Sequence, residues 1–216
     1  MYNGRVTVGG PAGVHEVGGL VLSKLAVGPY DNNCYLLRCR ETGAQVLVDA
    51  AAEADRIMDL VGPEGVSLIV TTHRHPDHWQ ALAEVAERTG APTAAHLDDA
   101  PGIPVQPDVL LRDGERIDVG TCSLEVIQLV GHTPGSIALL YDDPEGPPHL
   151  ITGDCLFPGG IGKTDSPDDF ESLYSDVVGK LFDRLPDETW VYPGHGNDTT
   201  LGAERPQLAE WRERKW

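Results

Sequence analysis

Residues 73 to 78, read as His73-Arg74-His75-Pro76-Asp77-His78, place three imidazoles and one carboxylate within six positions. Neutral imidazole and ionised carboxylate are ligands for divalent zinc, iron or manganese. No cysteine stands among them, which disfavours a thiolate-rich structural zinc site. Three later segments repeat one pattern, an apolar run that ends in a single ligand-type residue. His132 follows Ile127–Val130 within Gly131-His132-Thr133-Pro134-Gly135-Ser136, Asp154 follows Leu150-Ile151-Thr152-Gly153, and His195 lies in Pro193-Gly194-His195-Gly196. Small neighbours at each point let the backbone approach a crowded centre. Metal-ion chemistry is the reading these residues support.

Such a centre needs elements that end at one place. Ser67–Thr71 is a short apolar run of the kind expected of a buried strand, and it delivers the chain directly into His73. His78–Arg88 then reads as a helix carrying Leu82, Val85 and Ala86 on one side and stopping at Gly90. Further strands are expected over Leu20–Val27, Cys34–Cys39, Gln45–Val48, Thr93–His96, Val109–Leu111, Arg116–Val119, Ser123–Val130, Ser136–Tyr141, His149–Thr152 and Thr189–Tyr192. Helices are expected over Glu53–Val61, over Pro167–Leu181 with Ser166 as N-cap, and from near Thr200. Strand-rich stretches interrupted by single helices, twice over, predict two sheets packed face to face with helices outside. Residues 1–17 read as a flexible Gly-rich N-terminal tail, and 18–216 as the folded domain.

Composition narrows the function classes. The 216 residues carry 34 acidic and 16 basic side chains, a formal charge of −18. A chain this acidic repels phosphate backbones, so nucleic acid is not an expected partner. No apolar run reaches the length of a membrane span, and no export signal is legible at the start. Cys34, Cys39, Cys122 and Cys155 form no CxxC pair and read as reduced thiols, giving a cytoplasmic expectation. His15, His96 and His149 are not assigned to metal, His15 being expected in solvent.

HxHxDH, then GHTPGS, then TGDCLF, then PGHG together resemble the metallo-β-lactamase superfamily, and within it the short, single-domain glyoxalase II-like branch, over residues from about 20 to 205. The resemblance implies an α/β fold, a four-layer αββα sandwich with the site along one edge. It implies two divalent metal ions, zinc first, with iron or manganese as alternatives. The first would take His73, His75 and His132, and the second Asp77, His78 and His195, with Asp154 bridging. Asp77 and Asp154 would be the catalytic carboxylates, and Asp49, after Gln45–Val48, would orient the ligand loop.

The implied reaction is hydrolysis of a small acyl-thiol substrate. Lys163, nine residues beyond Asp154, matches the branch's basic residue for the thiol carrier's carboxylate. Asp165 and Asn197 stand where the larger glyoxalase II enzymes have tyrosines that grip glutathione. Trp79-Gln80 replaces a small Gly-containing pair, and the Trp is expected to narrow the pocket mouth. Only 21 residues follow His195, against a helical domain in the larger enzymes. A persulfide dioxygenase with a single iron, or a lactonase or esterase, fits the same motif. The residues do not specify an oligomeric state.

Overall fold

Side chains alternate along a strand with a period of two, and this alternation sorts the apolar residues of the chain between two faces of each sheet. In the computed structural model, which describes residues 2–215, Gly13–Val17 (β1), Leu20–Val27 (β2), Asn32–Cys39 (β3) and Gln45–Val48 (β4) are antiparallel neighbours. Helix Ala54–Val61 (α1) leads to Leu68–Thr71 (β5), and Leu82–Thr89 (α2) leads to Thr93–His96 (β6). With Val109–Leu111 (β7) they complete a seven-stranded sheet whose last four strands are parallel.

The second sheet holds Arg116–Val119 (β8), Cys122–Gln128 (β9), Ile137–Tyr141 (β10) and His149–Gly153 (β11). A small hairpin, Leu156–Phe157 (β12) with Gly160–Ile161 (β13), and helix Pro167–Asp176 (α3) follow. Trp190–Pro193 (β14) and Thr199–Thr200 (β15) finish the sheet in the order β15-β14-β11-β10-β9-β8, and Leu201–Glu204 (α4) and Leu208–Arg214 (α5) close the chain.

Three buried clusters define the layers. Leu22, Leu37 and Val48 from the first sheet meet Val126, Leu139 and Ile151 from the second. Leu36, Leu47 and Ile69 on the outer face of the first sheet pack under Ile57 of α1 and Leu82 and Val85 of α2. Leu140, Leu150 and Val191 pack under Phe170 and Leu173 of α3 and Trp211 of α5. The result is the expected αββα order.

Four expectations change. The segment read as a tail is part of the fold: Gly13–Val17 pairs with β2, and the Tyr2 hydroxyl donates to Asp198 at 2.5 Å. His15 is not left to solvent but stacks on Tyr2 with ring centroids 4.6 Å apart, its Nδ1 2.9 Å from the Tyr192 hydroxyl. The helix expected from His78 starts at Leu82, because Pro76–His78 forms a single 3-10 turn that aims its side chains at the site. The helix expected to Leu181 ends at Asp176 and continues as a π turn over Val177–Phe182. Among the described residues, no helix is long and apolar enough to cross a membrane.

Candidate metal centre

Strand direction gathers the candidate ligands. β9 and β11 each run antiparallel to β10, and β14 runs parallel to β11, so all three release the chain at one edge. From them come His132, Asp154 and His195 respectively. β5 ends at the same edge in the other sheet, where the Ile137 N–H donates to the Thr72 carbonyl at 3.0 Å across the sandwich. Crevices beyond the carboxyl ends of strands are where open sheets present functional groups. Gly194 makes the convergence sterically feasible: a Cβ there would collide with Asp154 Oδ1 and lie 2.7 Å from His78 Cε1.

All seven predicted ligand residues come together. Three groups are close enough to hold an ion: His73, His75 and His132; His73, His78 and Asp154; and Asp77, His78 and His195. The Asp154 carboxylate lies between them, 3.8 Å from His73 Nε2, 3.7 Å from His132 Nε2, and 3.3 Å from both His78 Nε2 and His195 Nε2. On the second side His195 Nε2 is 3.3 Å from Asp77, which accepts a hydrogen bond from Asn32 at 2.9 Å.

The outer nitrogens explain what the inner ones offer. His132 Nδ1 faces the Lys163 carbonyl at 2.7 Å and His195 Nδ1 faces the Tyr30 carbonyl at 2.7 Å. A carbonyl only accepts, so both Nδ1 atoms carry the proton. His78 Nδ1 lies 2.9 Å from Asp49, and His73 Nδ1 lies 3.0 Å from the Thr72 hydroxyl, which itself donates to Asp49 at 2.8 Å. Four rings are thereby held with Nε2 turned inward, the orientation that outer partners impose on metal-binding histidines. His75 Nδ1 and His132 Nε2 face each other at 3.0 Å, and His78 Nε2 and His195 Nε2 at 3.2 Å.

Two buried atoms, His73 Nε2 and Asp154 Oδ1, have no hydrogen-bond partner. Burial drives the His73 imidazolium well below its ordinary range, so this nitrogen presents a lone pair rather than a proton. A buried polar atom left unpaired is costly unless something binds it, and a nitrogen lone pair beside an uncoordinated carboxylate oxygen suits a cation. Burial also opposes charge on His78 and Asp154, but their mutual attraction prevails. Asp49 and Asp154 lift His78 to about 10, and His195 and His78 hold Asp154 well below the usual carboxylate range. The donor set is entirely nitrogen and oxygen, and it fits divalent metal.

Asp49 is 2% exposed and adopts φ +57°, a left-handed conformation that Asp tolerates better than most residues. Asp99, which sequence reasoning missed, is fully buried. It accepts from the Arg74 N–H at 2.9 Å, the Thr133 hydroxyl at 2.5 Å and the Gly135 N–H at 2.8 Å, tying the His73–His78 loop to the His132 loop. Nothing in the spacing marks it, because its partners lie far off in sequence.

Other expectations fare differently. Trp79 does not narrow the mouth: it packs on the core beneath α1 and α2, and its indole donates to the Arg74 carbonyl at 2.9 Å, bracing the loop from behind. Cys155, the neighbour of Asp154, is buried, and burial pushes its thiol up to about 12. Lys163 contributes its carbonyl to His132, while its side chain is exposed. A cavity of about 440 Å³ opens beside Asp154 and His195, walled by Phe157 and Pro158 with Asp31 and Asn197 at the rim.

The chain resembles proteins of known kind along most of its length. It is 30% identical over 206 residues to the hydroxyacylglutathione hydrolase GloC of Haemophilus influenzae, covering 84% of this chain and 93% of that one. The crystal structure of ETHE1 from Myxococcus xanthus superposes with a TM-score of 0.77 at 29% identity, covering 90% of this chain and 87% of the other. TTHA1623, in a di-iron-bound form, gives a TM-score of 0.70 at 33% identity, with 84% and 96% covered. The metallo-beta-lactamase superfamily model matches residues 27–195, from the end of β2 to the last candidate ligand. With its sandwich, its ligand-bearing edge and this match in agreement, the chain belongs to the metallo-β-lactamase superfamily.

Proposed function

We propose that this metal-dependent hydrolase cleaves small acyl thioesters of the S-(2-hydroxyacyl)-thiol type. The observation that carries the reading is the inward convergence of imidazole nitrogens on both sides of Asp154. His73, His75 and His132 would hold one ion, and Asp77, His78 and His195 a second, with Asp154 shared. Zinc suits the donor set best, and iron or manganese are compatible with it. When bound, the ions supply Lewis acidity, which activates water and polarises an acyl carbonyl.

The chain's own residues favour a particular leaving group. Despite partial burial, Asp77 is held below its ordinary range by Asn32 and His78, so it is ionised at neutral pH, as Asp154 is. Neither carboxylate can protonate a departing atom. A thiol with pKa near 8.5 leaves readily as its anion, which an alcohol or amine does not. The cavity beside Asp154 accommodates a small acyl group against Phe157 and Pro158. Lys163 would offer its exposed ammonium to an anionic thiol carrier. The name of the Haemophilus relative agrees with this substrate class.

A second reading, a persulfide dioxygenase with a single iron, draws on the likeness to ETHE1 and on the three-histidine group, which with Asp154 could hold one ion alone. Metal analysis of the purified protein with parallel assays separates the readings. About two ions per chain and hydrolysis of S-lactoyl-thiols are expected. One iron per chain with oxygen uptake on a persulfide would replace the first reading by the second. Faster turnover of lactones or oxygen esters than of thioesters would remove the thiolate argument.

A further inference from the structure

The alternation that buries Leu20 and Leu22 between the sheets also turns Lys24 inward, and its side chain is fully buried. Its ammonium donates to three acceptors: the Asp198 carboxylate at 2.5 Å, the Gly196 carbonyl at 2.7 Å and the Gly4 carbonyl at 3.1 Å. The other oxygen of Asp198 accepts from the Tyr2 hydroxyl at 2.5 Å, and the Asp198 N–H donates to the Gly4 carbonyl at 3.0 Å. Gly4 adopts φ +74°, and a Cβ there would sit 2.9 Å from the Asp198 Cβ. Buried charges are tolerated where every donor finds an acceptor, as here.

Apart from the bond between Lys24 and Gly4, these contacts fall on Gly196 and Asp198, immediately beyond His195. Asn33 spans His195, donating to the Pro193 carbonyl before it at 2.9 Å and to the Gly196 carbonyl after it at 3.0 Å, and the Tyr35 hydroxyl donates to Pro193 at 2.6 Å. None of these groups is a candidate ligand, yet together they fix the backbone on both sides of one.

We propose that Lys24 and Tyr2, meeting on the buried carboxylate of Asp198, act as a clamp that holds the His195 loop ready for metal, so that the N-terminal segment governs occupancy of the second ion position. This rests on the reading of His195 as a ligand of a second ion. Lys24, Tyr2 and Asp198 are positioning residues, and the ion they serve is the one bound by Asp77, His78 and His195. His132, in another loop, is outside their reach.

The test uses the full chain with Lys24→Met, Tyr2→Phe and Gly4→Ala. Hydrogen exchange of the Gly196 and Asp198 amides is measured without metal, and stepwise cobalt(II) binding is followed by its ligand-field spectrum. In the variants, exchange is expected to quicken about tenfold or more, and the second ion to bind about tenfold more weakly, the low end for loss of an outer partner. The first ion should bind within about twofold of wild type, far inside that range. Unchanged exchange overturns the clamp, and so does equal weakening of both ions, the signature of general loosening. Quickened exchange in a protein whose wild type takes only one ion upholds the clamp and overturns the two-ion reading. Tyr2→Phe removes one hydroxyl only, so the test stands even where Lys24→Met fails to fold.

Discussion

Replacing Asp99 with Ala should detach the two ligand-bearing loops from each other. The carboxylate is fully buried and accepts from two backbone N–H groups and one hydroxyl, all at 2.9 Å or less. Each buried donor stranded by its removal costs about 1–3 kcal/mol, so three strand roughly 3–9 kcal/mol in total. Water entering the space left by the shortened side chain recovers part of this, which places the expected loss at about 3–5 kcal/mol. Asp99→Asn keeps the shape and one accepting oxygen, and should lose about half as much. The measurement is urea unfolding of metal-free protein, followed by zinc titration of each variant. Because Asp99 holds the Arg74 and Gly135 backbones and the Thr133 hydroxyl, affinity for the ion bound by His73, His75 and His132 should fall about 10- to 100-fold. A loss below about 1 kcal/mol, the worth of one ordinary hydrogen bond, together with unaltered zinc binding, would refute the reasoning.

Asp154→Ala should abolish turnover and lower affinity at both ion positions by more than the roughly 100-fold typical of outer partners; near-normal activity would defeat its shared role. Lys163→Ala should raise KM about two- to fivefold for an anionic thiol conjugate, the worth of an exposed ion pair, and leave a neutral thioester unaffected. An equal change for both substrates would remove Lys163 from substrate binding. His78, lifted from 6.5 to about 10 in the metal-free protein, stabilises the fold fully below pH 6.5 and loses that contribution as pH rises through about 10. Metal uptake at pH 7 must therefore expel its proton, and calorimetry in buffers of differing ionisation enthalpy should record the release. No release would mean that His78 is not a ligand.

The ligands were legible because each carries its own signal. His73 to His78 is a dense run of one chemistry, and His132, Asp154 and His195 each close an apolar strand among small residues. Most strands were legible for the same local reason, their apolar runs being bounded by turns. What stayed hidden depends on contacts distant in sequence. Asp99 sits in Leu97-Asp98-Asp99, where a solvated turn is the ordinary reading, and only the folded chain brings Thr133 and Gly135 to it. β1 escaped because glycines precede it and its outward residues Val14 and Glu16 do not contrast in hydropathy with His15 and Val17 in any clean alternation. The start of α2 was misplaced since periodicity cannot register that His78 must point at the site before the helix begins. Lys24 did leave a trace, a lone cation inside the apolar run Leu20–Val27, at the same parity as Leu20 and Leu22.

The candidate ligands are divided between the sheets, with His73 to His78 on one side of the sandwich and His132, Asp154 and His195 on the other. Ions held there fasten the halves of the molecule to each other, and any unfolding that parts the sheets must first release them. At a free concentration one hundred times its dissociation constant, each such ion adds about 2.7 kcal/mol to the stability of the folded state. With ions seated there, metal supply would set the lifetime of the polypeptide, because a starved chain would open more often to proteases.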